Sequence, residues 1–143
     1  MATDRRADVV WKGSLMEGSG TIVKTTSGVI GEQPVSWPNR AESSPTQTSP
    51  EELIAAAHAS CFSMALSNGL AQAGTPPDEL KTSATVTFQP GEGITKIALT
   101  VEGRVPGLDA DGFRQAAEGA KANCPVSKAL AAVPEITLDA SLA

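Results

Sequence analysis

The sequence predicts an α+β fold, and three observations predict it. Two pairs of alternating, β-branched segments are each joined by a glycine-containing turn, one long alanine-rich helix lies between those pairs, and a short helical pair followed by a last strand closes the chain. The 143 residues fit one domain, 1–143, with a sizeable core, because no Pro/Gly/Ser-rich linker divides them into halves.

The first pair is ADVVWKG, residues 7–13, and SGTIVKTTSG, residues 19–28, which read as a hairpin. Met16 to Gly20 supplies the turn. Its Gly18-x-Gly20 is a faint echo of a phosphate loop, but it runs on into a strand and not a helix, so a structural turn is the reading. Residues 31–47, GEQPVSWPNRAESSPTQ, are rich in proline, serine and polar side chains and show no periodicity. They predict a long loop, a kind of segment that is often functional in compact domains. Arg40 is its one basic residue.

The central helix is predicted over 48–74. Thr48 or Ser49 is a good N-cap, Pro50 suits the first turn because its missing N–H is an orphan there, and Ser49-x-x-Glu52 forms a capping box. Gly74, Pro76 and Pro77 end the helix. From Leu53 to Leu66 it is almost free of charge, which predicts that nearly every face is covered by protein and that Cys61 lies in a dry setting.

LKTSATVTFQ (80–89) and ITKIALTVEGRV (94–105) flank Pro90-Gly91-Glu92-Gly93 and form the second hairpin. Asp109 caps a helix with Phe113, Ala116, Ala117 and Ala120 on its core face, ending near Asn123. A second start follows at Cys124-Pro125, which puts Cys124 at or beside a helix N-terminus. EITLDASL, residues 135–142, is the last strand.

Composition narrows the partners. A net charge of −5 with few aromatic residues offers neither a basic patch for phosphates nor a stacking platform for bases, so no nucleic-acid partner is expected. The first ten residues, MATDRRADVV, lack the apolar stretch of a signal peptide, and no apolar run is read as approaching the roughly 20 residues that span a bilayer. The expectation is a cytoplasmic protein without a membrane partner. In a reducing compartment, a disulfide between its two cysteines would be transient and chemical, not a staple.

Cysteine reacts as the thiolate, and its ordinary pKa of about 8.5 leaves only a few per cent ionised at neutral pH. Cys61 lies inside a helix, where the dipole gives little and burial raises the pKa, so a reactive Cys61 needs a cation. His58, three residues away, is a pH-dependent candidate, and Arg40 is the better one because its charge does not titrate away. Cys124, at a helix start, is suited to disulfide exchange. The plain alternatives are a small core residue for Cys61, a surface charge for Arg40, a packed histidine for His58, and capping roles for Glu51 and Glu52.

PEELIAAAHASCFSMAL, Gly107-Leu108-Asp109 and AKANCPVSKAL, together with the VVWKG, GSGT, ITKIAL and EITLD segments, closely resemble the OsmC/Ohr family (osmotically inducible protein C), and its OsmC branch in particular. The resemblance covers nearly the whole chain. It implies an OsmC-like fold of antiparallel sheets around a long central helix, in an intertwined homodimer with two active sites. The implied activity is a thiol-dependent peroxidase that reduces organic hydroperoxides and, less well, hydrogen peroxide, with a dithiol reductant such as a lipoylated protein and no bound cofactor or metal. By position, Cys61 is the implied peroxidatic cysteine, Cys124 the resolving cysteine, Arg40 the cation on the thiolate and Glu51 the carboxylate that orients the arginine. In the OsmC branch that arginine is generally followed by phenylalanine, where this chain has Ala41.

Helical spacing leaves open which of Glu51 and Glu52 points inward, and Glu51 is chosen by motif position. Glu51 and Cys61 are ten residues apart, about 15 Å along a straight helix. Both reach one thiolate pocket if Glu51 comes from a partner subunit. Three rivals are weighed against the peroxidase: a hydrolase pairing Cys61 with His58, a zinc module gathering His58, Cys61, Cys124 and a glutamate, and a redox sensor or small-ligand binder on the same fold.

Overall fold

The computed structural model describes residues 1–42 and 45–143. The chain divides into two compact units, Met1–Pro50 and Glu51–Ala143. The α+β class expected from the sequence is borne out.

In the first unit, β1 (Ala7–Lys12), β2 (Ser19–Thr25) and β3 (Gly31–Val35) form an antiparallel sheet in that order. The predicted first hairpin is present, and its turn is structural. The Gly18 N–H donates to the Ser14 carbonyl at 2.8 Å, and a Cβ on Gly18 would run into that same carbonyl oxygen. Gly20 pairs with Trp11 on one side and Val35 on the other, whose side chains fill the space a Cβ would need.

Residues 31–47 are not a loop throughout. They hold β3 and a helical turn, α1 (Trp37–Ala41). β3 lacks β-branched alternation and carries Pro34, which an edge strand tolerates, so pairing with β2 and not local propensity makes it a strand. Ser36 caps α1 by accepting from the Asn39 N–H at 3.3 Å, and Pro38 sits in its first turn. The Asn39 amide donates to the Thr48 carbonyl at 2.8 Å and to the Gln47 carbonyl at 3.3 Å, and the Ser36 hydroxyl donates to Gln47 Oε1 at 2.9 Å. These bonds tie α1, with Arg40 in its last turn, to the chain ahead of the long helix.

That long helix, α2 (Pro50–Gln72), agrees with its predicted span to within two residues at each end. Gly74, at φ +88, ends it. The Thr75 N–H donates to the Leu70 carbonyl at 2.9 Å and the Gly74 N–H to that of Ala71 at 3.0 Å, a Schellman closure that a left-handed glycine makes possible.

In the second unit, β4 (Glu79–Gln89) and β5 (Gly93–Arg104) form the predicted second hairpin. α3 (Ala110–Asn123) follows, with Asp109 accepting from the Gly112 N–H at 2.8 Å. Then come α4 (Pro125–Ala129) and β6 (Glu135–Leu142). β6 pairs parallel to β5, so the second sheet is mixed where antiparallel sheets were expected. The cause is the connection: two helices carry the chain back over the sheet before β6 begins, and such a crossover returns it in the same direction.

The core of this unit joins a stripe of α2 (Phe62, Leu66, Leu70), the inward alternation of β5 (Ile97, Leu99, Val101) and the apolar face of α3 (Phe113, Ala117, Ala120). Phe113 packs where the side chain of Gly103 would otherwise stand.

α2 is not covered on nearly every face. Its buried residues are Glu51, His58, Phe62, Leu66 and Leu70, close to one stripe, while Ala56, Ala57, Ser60 and Met64 are exposed. Lack of charge does not imply burial when the side chains are alanine and serine. Contrary to the sequence reading, α2 is long and apolar enough by length and composition to cross a membrane. Its buried stripe, packed on β5 and α3, is that of a core helix.

Candidate active site

The site grows from the junction of α3 and α4. Cys124 is both the last cap of α3 and the N-cap of α4, with Pro125 at the first helical position as its sequence predicts. The side chain is fully buried, and its Sγ accepts from the Ser127 N–H at 3.4 Å and from the Ser127 hydroxyl at 3.6 Å. A sulfur thus fills the place of the oxygen that ordinarily caps a helix.

Cys61 reaches the same spot from α2, half-buried, and its thiol meets the Val126 N–H and Cys124. The structure therefore brings the two cysteines together, as free thiols, from positions 63 residues apart in the chain.

Their electrostatics differ. Burial pushes the Cys61 thiol above its ordinary value, the Val126 N–H pulls it down without reversing the effect, and Cys124 pushes it further up. Burial pushes Cys124 up as well, but it is outweighed by the Ser127 N–H, the Ser127 hydroxyl, the Cys61 thiol and the Val126 N–H, so Cys124 lies below its ordinary value. The helix N-terminus favours the second cysteine. No cation is among the groups that move the Cys61 thiol, which therefore still needs one, as the sequence argument required.

Of the other site residues expected from the sequence, Arg40 is half-buried in the last turn of α1, within the first unit. Glu51 is buried, 6% exposed, at the start of α2, and Glu52 is exposed, so Glu51 is the one that turns inward. His58 does not face Cys61 as a base. It is fully buried, with Nε2 2.7 Å from Ser127 Oγ, and burial lowers its pKa, keeping the imidazole neutral. That removes the ground for a Cys61/His58 hydrolase. Among the described residues, no group of three or more His, Cys, Asp or Glu side chains is placed to hold a metal ion.

Val126 and Ser127 are the site residues that the sequence reading missed. The signal was present in Cys124-Pro125-Val126-Ser127: once the cysteine is the N-cap, the next two non-proline N–H groups must point back toward it.

The family model described as OsmC-like protein matches residues 42–139, which include Glu51 and both cysteines. The chain belongs to the OsmC-like family. Over 145 aligned residues it is 47% identical to Peroxiredoxin OsmC of Escherichia coli K12, with 99% of each chain covered. Among solved structures, the organic hydroperoxide resistance protein OhrB of Bacillus subtilis superposes with a TM-score of 0.64 at 26% identity, covering 96% of this chain and 98% of that one. An organic hydroperoxide resistance protein from Elizabethkingia anophelis gives 0.68 at 23% identity, covering 100% and 99%, a likeness of fold. The OsmC-like architecture thus extends over the whole chain, and the paired thiols lie inside the segment the family model matches.

Proposed function

We propose that this OsmC-like chain, acting as one functional domain over 1–143, is a cysteine-based peroxidase that reduces organic hydroperoxides to alcohols. The observation that carries the reading is the pairing of Cys61 with Cys124 at the N-terminus of α4, and the identity to a relative named peroxiredoxin supports it.

The Cys61 thiolate attacks the O–O bond of the hydroperoxide. Its sulfur takes one oxygen to become a sulfenic acid, and the alkoxide leaves and is protonated to the alcohol. The Cys124 thiolate then attacks the Cys61 sulfur, the S–O bond breaks, the S–S bond forms, and the departing hydroxide takes up a proton as water. A dithiol, such as that of a lipoylated protein, reduces the disulfide in the cytoplasm. No bound cofactor enters.

Arg40 supplies the positive charge on the Cys61 thiolate, and Glu51 orients the guanidinium. The active form is a homodimer in which Glu51 of one protomer serves Cys61 of the other. Two features support this: Glu51 and Cys61 share one helix but stand about 15 Å apart along it, and α2 and β1 expose Met64, Val9, Val10 and Trp11.

A single turnover tests the chemistry. Fully reduced protein mixed with stoichiometric alkyl hydroperoxide should consume it and lose the mass of two hydrogens, and Cys61→Ser should abolish both. Persistence of peroxide with both thiols reduced would refute the peroxidase. For the shared site, Cys61→Ser and Glu51→Ala subunits are mixed. Heterodimers more active than either parent are expected, and no gain would count against sharing.

A further inference from the structure

Two side chains near the thiols have no part in the scheme above. His58 is fully buried on α2, and Ser127 is buried in α4, 7% exposed. His58 Nε2 lies 2.7 Å from Ser127 Oγ, and the Ser127 hydroxyl donates to Cys124 Sγ at 3.6 Å. We infer that His58 and Ser127 form a donor chain that holds Cys124 as a thiolate aimed at Cys61, making Ser127 a catalytic residue of the resolving step and His58 its positioning residue. The inference rests on the peroxidase reading and assigns the pair to its second half.

The directions of the hydrogen bonds carry it. A serine hydroxyl has one proton. With that proton aimed at Cys124, the oxygen can only accept from His58, so Nε2 must bear the imidazole hydrogen. The other nitrogen, Nδ1, is then a bare acceptor. It is Nδ1 that is buried without a hydrogen-bond partner among the described residues, and an orphaned acceptor is tolerated better than an orphaned N–H. The opposite tautomer would bury an unpaired donor and leave the serine proton committed to the histidine. The lowered pKa of His58 agrees, since the neutral ring keeps a single N–H.

The consequence is chemical. Charge-assisted hydrogen bonds are the strong ones, and a donor that is itself polarised by a second donor binds an anion more firmly. In the resolving step the sulfur of Cys124 gives an electron pair to the Cys61 sulfur, and hydroxide leaves Cys61. The proton that Cys124 released on ionising and that hydroxide together make one water, so thiol plus sulfenic acid give disulfide plus water. Attack on the peroxide by Cys61 precedes this, and because Cys124 pushes the Cys61 thiol up, loss of the pair does not slow that first step.

Two readouts test it. In a Cys61→Ser background, the thiolate absorbance of Cys124 should titrate at higher pH when Ser127→Ala or His58→Leu is added, a measurement that needs no peroxide and stands even if the peroxidase reading fails. In the two-cysteine protein, sulfenic acid formation and its conversion to disulfide are followed separately by stopped flow and quenched mass. Ser127→Ala and His58→Leu should slow the second step relative to the first by about tenfold, the scale of one hydrogen bond to a charged group, with more sulfinic acid at excess peroxide. His58→Gln, whose amide still donates to the Ser127 oxygen, and Ser127→Thr, which keeps the hydroxyl, should restore both readouts. A purely structural role predicts equal slowing of both steps and an unmoved titration. That result, or an unchanged ratio of the two rates with an unmoved titration, would overturn the inference.

Discussion

The two units of the chain are held together by different means. Glu51–Ala143 has a continuous core shared by α2, β5 and α3, with Phe62, Phe113 and Ile97 wholly enclosed. Among the described residues of Met1–Pro50, Gly20 and Ile22 are the buried ones, and apolar side chains of β1 stand in the open. A three-stranded sheet with so little enclosed surface is marginal by itself. The unit that carries both cysteines thus builds its own site, whereas the unit that carries Arg40 is organised by ladder hydrogen bonds, turns and the Asn39 tether. The thiols are paired by a core, whereas Arg40 belongs to a unit with little enclosed surface.

Four measurements separate the two units. The largest effect is expected at Phe113→Ala, which empties the enclosed site beside Gly103 and should lower the unfolding free energy by about 3–5 kcal/mol. Denaturant titration reads it, and a loss under 1 kcal/mol would mean that the second unit does not depend on this core. Next, Val10→Asp places a charge on an apolar face of the first unit. If the dimer covers that face, the dissociation constant should rise about thirtyfold, some 2 kcal/mol, in sedimentation equilibrium. No change would leave β1 outside the interface.

Asn39→Ala removes the two amide hydrogen bonds from α1 to the Gln47 and Thr48 carbonyls and leaves the Ser36–Gln47 bond in place. A loss of about 1 kcal/mol in stability is expected, together with a fall in peroxide turnover that exceeds any change in the Cys124 titration. Equal turnover would show that α1 does not need this tether to present Arg40.

The smallest effect is one of pH. Burial holds the His58 pKa below 6.5, so between 6.5 and its lowered folded value the unfolded chain binds a proton that the folded chain does not. Stability therefore falls as the pH drops through that window. The melting temperature of the wild type should decline more steeply below pH 6.5 than that of His58→Gln, and parallel curves would contradict a buried neutral histidine.

Much of this was written locally. The span of α2, the caps at Asp109 and Cys124, both hairpins and the last strand depend on nearby residues whose conformational preferences act over one turn or one ladder. β3 and the parallel direction of β6 were not legible, because the first owes its strand to its neighbour β2 and the second to the path of the crossover. Among the site residues, Cys124 could be placed at its helix start, but Ser127 could not be given a partner, since the histidine it meets is 69 positions earlier.

By itself, then, the sequence determined the elements, the caps that end them and the two cysteines as the reactive candidates, all consequences of short-range sterics, hydrogen bonding and thiol chemistry. Tertiary structure alone decided that Glu51 and not Glu52 turns inward, that His58 meets Ser127, and that burial pushes the Cys61 thiol up while the Ser127 contacts draw Cys124 down. The reason is that desolvation and hydrogen-bond direction are properties of a place in space, and residues far apart in the chain share such a place only once the core has formed.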